Sequence, residues 1–219
     1  MEVKENKFPS YKDHLNKTFL EELNYNLWVT KGTRFQAHHR LISKNNKSIS
    51  SVAFLTAYLI IFGLIGAFQS DLNPFIPPNY VEFGSLAGSI LVLIFSQLES
   101  AKDYKLNAFL YHYCALELTQ LYNSIRIRKT LNKESPENDE TFCKNIEARY
   151  NEIMSKYPNH EEIDYKKFKL SKSEYYENIT KYQKNLWPII YLFKTSLLYY
   201  LFIGLPPIIF LIYWLIYSS

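Results

Sequence analysis

Any chemistry in this chain of 219 residues would have to come from five histidines, two cysteines and scattered carboxylates. The histidines are His14, His38, His39, His112 and His160. A helical metal site prefers two histidines at i and i+4, so that both rings face one ion. His38 and His39 are adjacent, and on a helix their side chains diverge by about 100°. His112 and Cys114 are two apart, which falls short of a shared helical face. Cys114 and Cys143 make no zinc ligand set, and no disulfide is expected of them in a reducing compartment. A nucleophile elbow of the GxSxG type is absent, as are GxGxxG and GxxxxGK[ST]. The histidines therefore read as satisfied surface or bundle residues. No catalytic residue, metal site or cofactor is assigned, and the chain is not read as an enzyme. Arg126-Ile127-Arg128-Lys129 is a weak basic patch, better explained as a solvated helix end than as a nucleic-acid site.

The elements that position these residues point to a membrane. Mean hydropathy is −0.20, but the apolar residues are concentrated in Ser51–Phe68, Val81–Leu98 and Thr195–Tyr217. Within these stretches Glu82 is the only formal charge in the first two, and the third has none. Runs of about 18 apolar residues read as membrane-spanning helices. Lys31, Arg34, Arg40, Lys44 and Lys47 precede the first run, and Lys102 and Lys105 follow the second. The connection 69–80 has no Lys or Arg and carries Asp71, Pro74, Pro77 and Pro78. Positive charge retained inside then places the N-terminus in the cytosol and 69–80 outside the inner membrane. Gly204, Pro206 and Pro207 interrupt the third run; it reads as a kinked span, with a re-entrant hairpin as the alternative.

The expected fold is an all-α integral membrane protein. It has a cytosolic N-terminal helical region (1–50), a two-helix transmembrane hairpin (51–98), a cytosolic helical region (99–194) and a C-terminal apolar helix (195–217). Leu15, Phe19, Leu23, Leu27 and Leu41 recur at helical spacing, broken only over Val29–Gln36. Leu106, Leu110, Tyr113, Leu116, Leu118, Leu121 and Ile125 form a further stripe. No Gly or Pro precedes it, so the second span is expected to continue into it as one helix. Lys133–Thr141, with Pro136, reads as a loop. Phe142, Ile146, Tyr150, Ile153 and Tyr157 predict another helix, closed by a turn at Pro158-Asn159-His160.

Small residues at spacing four let membrane helices approach closely. Gly63, Gly84 and Gly88 read as packing residues, either within the hairpin or between copies of the chain. Ser85, Ser89 and Ser96 could line a polar path, or could bond their own helix backbones.

The stretch YNLWVTKGTRFQAHHRLI at 25–42 resembles the SLATT proteins, bacterial two-helix membrane effectors of anti-phage conflict systems. Trp28, Thr30, Arg34, Phe35, Ala37, Arg40 and Leu41 carry that likeness. A second block, YNEIMSKYPNHEEIDYKKF at 150–168, resembles the later part of the fifth SLATT subfamily through Asn159, His160, Asp164 and Tyr165. The likeness spans roughly 15–215. The third apolar run departs from a two-helix description. The resemblance implies an effector that oligomerises and opens or disrupts the membrane, triggered by a partner that senses infection, with growth arrest or death of the infected cell. In this subfamily the partner would be a neighbouring reverse transcriptase. The expected partners are thus the lipid bilayer, further copies of the chain and such a sensor, without direct nucleic-acid binding. A non-conducting anchor that recruits a cytosolic enzyme is the alternative, and a lipid-directed enzyme using His38, His39 or His112 a more distant one. Arg34 and Arg40 are expected at headgroup level, on lipid phosphate or a carboxylate such as Glu99, coupling the cytosolic region to the first span.

Overall fold

The computed structural model describes residues 18–69, 76–131 and 138–218. Among them are seven helices and no strand: α1 (Phe19–Phe68), α2 (Pro78–Ser100), α3 (Tyr104–Thr130), α4 (Asp139–Lys156), α5 (Glu162–Ser171), α6 (Lys181–Thr195) and α7 (Leu197–Ser218). The architecture is all-α. Leu15, Asp71, Pro74 and Pro136 lie outside the described residues. Three helical stretches, Phe19–Phe68, Pro78–Thr130 and Leu197–Ile216, are long and apolar enough to cross a membrane.

The chain divides into two compact units. One comprises residues up to Leu41 with Lys105–Tyr191; the other comprises Ile42–Tyr104 and Leu192–Ser219. In the first unit, Leu23 and Leu27 of α1 pack with Cys114, Leu118, Leu121 and Ile125 of α3 and with Ile146 and Ile153 of α4. Phe142, Tyr150 and Tyr157 close that core from the α4 side. Asn138 caps α4 by accepting the Glu140 N–H at 3.2 Å. A second cluster gathers Phe168, Tyr176 and Ile179 with Trp28 and Trp187. Gly32 is needed here, because a Cβ would overlap the Phe168 ring.

The stripe on α3 separates into two faces. Ala108, Tyr111, Cys114, Ala115, Leu118, Leu121 and Ile125 are buried, whereas Leu106, Tyr113 and Leu116 are exposed. The apparent single stripe had merged residues from opposite sides. The Val29–Gln36 interruption on α1 is also helical, and its polar Thr30, Thr33 and Arg34 point into the core.

In the second unit, α1 and α2 pack as an antiparallel hairpin. Gly66 faces Val81, Gly84 faces Phe62 and Gly88 faces Leu59. Each glycine admits a larger partner that a Cβ would displace. Gly63 has open space around it, so it is not a contact of this hairpin. The base of the connecting loop is tied by Gln69, whose amide donates to Ile76 O at 2.7 Å and accepts the Ile76 N–H at 3.0 Å.

One expectation is corrected. The second span does not run on as one helix: α2 ends at Ser100 and α3 begins at Tyr104. Asp103 between them has φ 47°, a left-handed conformation that Asp tolerates better than most residues. The third apolar run is a helix, as expected, and not the alternative hairpin: α7 continues through Pro206 and Pro207, and the break before it lies at Ser196.

Candidate functional site

The residues singled out at 28–41 and 159–164 meet in the first unit. Arg40 and Asp164 lie 124 positions apart in sequence and are both buried, at 2% and 0% exposure. Arg40 Nε donates to Asp164 Oδ1 at 2.7 Å and its Nη2 donates to Oδ2 at 3.0 Å. This is the bidentate fork that guanidinium and carboxylate geometry favours. Arg40 Nη1 also pairs with Glu161 at 2.9 Å. The Glu161 N–H donates to Asp164 Oδ2 at 3.1 Å, so one carboxylate both neutralises the arginine and caps α5. Burial opposes the charged guanidinium, yet the bonds and charges of Asp164 and Glu161 outweigh it and raise the Arg40 pKa.

Arg34 is equally buried, at 0% exposure, and among the described residues no carboxylate pairs with it. Its guanidinium donates to Pro158 O and to Asn159 Oδ1 at 3.4 Å, and lies 5.5 Å from the centre of the Tyr111 ring. Tyr111 in turn donates to Asn159 O at 2.9 Å. Arg34 Nε and His160 Nδ1 are buried without a hydrogen-bond partner. Burial and the Arg34 charge together lower the His160 pKa, against the pull of Asp164. The turn at 158–160 is thus clamped to α1 by a cation that favours a neutral histidine beside it.

Arg34 and Arg40 are therefore buried within the first unit and not held on lipid phosphate. The Asp164 carboxylate holds Arg40, and the Pro158 carbonyl and Asn159 side chain hold the end of the Arg34 guanidinium. Glu99, in the second unit, accepts the Tyr199 O–H at 2.7 Å and pairs with Lys102 and Ser48. Other residues of the 25–42 motif pack against α3, α4, α5 and the segment after α5. Trp28 packs edge-on against Phe168 at 5.1 Å and Tyr175 at 5.0 Å. Thr30 Oγ1 meets the Tyr150 hydroxyl at 3.2 Å. Phe35 lies 5.8 Å from His112, edge to face.

Among the described histidines, His38 and His112 pack against each other in the bundle, and His112 Nδ1 is buried without a hydrogen-bond partner. His38 Nδ1 is 2.9 Å from Ala108 O, and its ring centre lies 4.8 Å from that of His112. Among the described residues no group of three or more His, Cys, Asp or Glu could hold a metal ion. Burial pushes the Cys114 thiol up to about 11, which keeps it protonated and unreactive. Within the basic patch, Arg128 is paired with Asp139 at 2.8 Å and Lys129 with Glu21 at 2.6 Å.

On the hairpin, Ser89 donates to Ser85 O at 2.7 Å and Thr56 to Val52 O at 2.8 Å, both within their own helices. Those hydroxyls, with Ser96, line a shallow groove shared with Val52, Leu59 and Val92. Ser85 Oγ is buried without a partner.

Reasoning from sequence missed how α7 is fixed. Lys47 donates to Ser196 Oγ, Ser51 to Tyr199 O at 3.3 Å, and Tyr58 to Ile203 O at 2.7 Å. The last bond has a specific cause. In an α-helix Ile203 O would accept the N–H of residue 207, and Pro207 has none. The Tyr58 hydroxyl supplies the missing donor at a depth where water would not. The proline was the available signal, since it identifies the orphaned carbonyl four residues earlier.

A protein-family model described as SMODS and SLOG-associating 2TM effector domain family 5 matches residues 16–213. No curated protein and no solved structure matches the chain.

Proposed function

This chain belongs to the SMODS and SLOG-associating 2TM effector domain family 5, and from that premise we propose how a membrane effector of this kind acts. Copies of the chain associate in the bacterial inner membrane and, once triggered, open or perturb it, so that the infected cell stops growing or dies. The N-terminus and the long polar helices face the cytosol, and residues 69–80 face outward. The chain performs no catalysis of its own.

The observation that carries this reading is the state of the apolar helices. In each of the three, only 6% of the apolar window is buried within the chain. A two-helix hairpin with one further helix encloses no aqueous path, so a pore needs several copies around an axis. The groove on the hairpin carries the hydroxyls of Thr56, Ser89 and Ser96 and suits the face turned to that axis. The motif residues Arg34 and Arg40 lie on the same unbroken helix as the first apolar run. A signal that loosens their hold on 158–164 therefore has a covalent, helical route to that run. The trigger is a cytosolic partner encoded nearby, of which a reverse transcriptase is the type considered.

The test is reconstitution of the purified full chain in phospholipid vesicles loaded with potassium, with and without the neighbouring gene product. Potassium release that needs both proteins supports the reading. Vesicles that stay tight under every combination that arrests cells would refute membrane opening, and the anchor reading would take its place.

A further inference from the structure

The helix α6 (Lys181–Thr195) has two unlike faces. On one, Trp187 packs on the cluster of Phe168, Tyr176 and Ile179, and Lys166 and Lys167 lie 6.0 and 5.0 Å from the Trp187 and Tyr191 ring centres. That face is taken up within the protein. Tyr182, Leu186, Ile189 and Phe193 recur at i, i+4, i+7 and i+11, so they share the other side of the helix within an arc of about 60°. Tyr182, Ile189 and Phe193 are 71, 51 and 61% exposed.

Charge distinguishes the surfaces that this stripe would suit. Lys181 and Lys194, both exposed, stand about 110° to either side of the arc. Their stems can reach back along an apolar stripe while the ammonium groups stay in water. The sequence carries no Asp or Glu after Glu177. An apolar stripe flanked by cations alone is the pattern of a helix lying in a membrane surface. A groove on another protein would also accept the apolar side chains, but the place of α6 in the chain favours lipid. α7 begins at Leu197, and its 22 residues extend about 33 Å, close to the thickness of the hydrocarbon layer. Ile189, eight residues before Leu197, is then within about 12 Å of the hydrocarbon boundary along the helix. α6 itself, at 15 residues, is too short to cross. Pro188 also leaves Lys184 O without its intrahelical donor, which water supplies at a membrane surface and hydrocarbon does not.

We propose that α6 is a surface-binding helix whose Tyr182, Leu186, Ile189 and Phe193 enter the headgroup boundary of an acidic lipid layer, with Lys181 and Lys194 on the lipid phosphates. The inference rests on the membrane reading above and adds a lipid contact outside the spans. Docked α6 fixes the residues that lead into α7, so the acidity of the leaflet sets how firmly they are held.

The experiment uses the full Cys143→Ser chain, which leaves only the buried Cys114, with a spin label on Ile189→Cys or, as a control, on Leu211→Cys in α7. Each is reconstituted in phosphatidylcholine vesicles with or without an equal part of phosphatidylglycerol. Oxygen, which concentrates in lipid, and a water-soluble nickel complex report the depth of the label. With phosphatidylglycerol the Ile189 label should be relaxed mainly by oxygen, and in phosphatidylcholine alone it should move toward nickel. Lys181→Gln/Lys194→Gln should weaken docking on the order of tenfold in the acidic vesicles. A label relaxed mainly by nickel in acidic vesicles would overturn the proposal. So would equal depth in the two lipids, or a glutamine variant docked as firmly as the native chain. A label shielded from both reagents would replace lipid with a protein surface and overturn it too. The Leu211 label should be deep in lipid throughout; if nickel reaches it, the membrane reading itself fails.

Discussion

Replacing Asp164 with Leu removes the fully buried anion that pairs with Arg40. Stripping one partner from a buried pair costs about 3–5 kcal/mol, because the remaining charge stays desolvated. Two local facts refine that figure. Glu161 remains 2.9 Å from Arg40 Nη1, but it is 61% exposed and neutralises poorly. The Glu161 N–H also loses its acceptor at the start of α5, at a cost of about 1 kcal/mol. The expected loss is about 3–4 kcal/mol, equivalent to about 6–16 °C in Tm for a chain of this size. Thermal unfolding of the full chain in detergent measures it. The decisive comparison is Arg40→Met/Asp164→Leu. Replacing both partners by apolar residues leaves no buried charge, so most of the lost Tm should return. An Asp164→Leu chain within about 2 °C of native, or a double variant as damaged as the sum of the singles, would refute the account of this pair.

Three further outcomes follow from the same structure. Gly88→Ile should force Leu59 aside and lower Tm, whereas Gly63→Ile, with open space around it, should leave Tm unchanged. Tyr58→Phe leaves Ile203 O without a donor and should cost about 1 kcal/mol; Pro207→Ala restores an intrahelical donor, so Tyr58→Phe should cost less in that background. His160 titrates below its ordinary range in the folded chain, so folding favours its neutral form. Its contribution is full above about pH 6.5 and is lost as pH falls from there toward its folded value. Native Tm should therefore fall more steeply between about pH 7 and 5.5 than that of His160→Gln, and parallel curves would contradict the assignment.

The membrane segments were legible because nothing competes with a run of about 18 residues carrying at most one charge. The α4 face was legible for a similar reason: Ile146 and Ile153, with Phe142, Tyr150 and Tyr157, keep one helical period. The α3 face was not, since Leu106 and Leu116 are as apolar as Leu118 and only packing distinguishes them. The end of α2 was also hidden, because Asp103 adopts a positive φ without a glycine to announce it. Arg34 and Arg40 were placed at the headgroups because their partners lie about 120 residues away, beyond any local spacing rule. The polar break at Thr30, Thr33 and Arg34 was nonetheless a visible sign. Polar residues recurring on an otherwise apolar helical face mark a place where the core must supply hydrogen bonds.

The most direct measurement is the membrane potential of living bacteria carrying this chain and its neighbouring gene, followed with a voltage-sensitive dye through phage challenge. Membrane opening predicts rapid depolarisation before growth stops, absent in cells lacking the chain. An intact potential in cells that are nonetheless arrested by the triggered system would contradict the account.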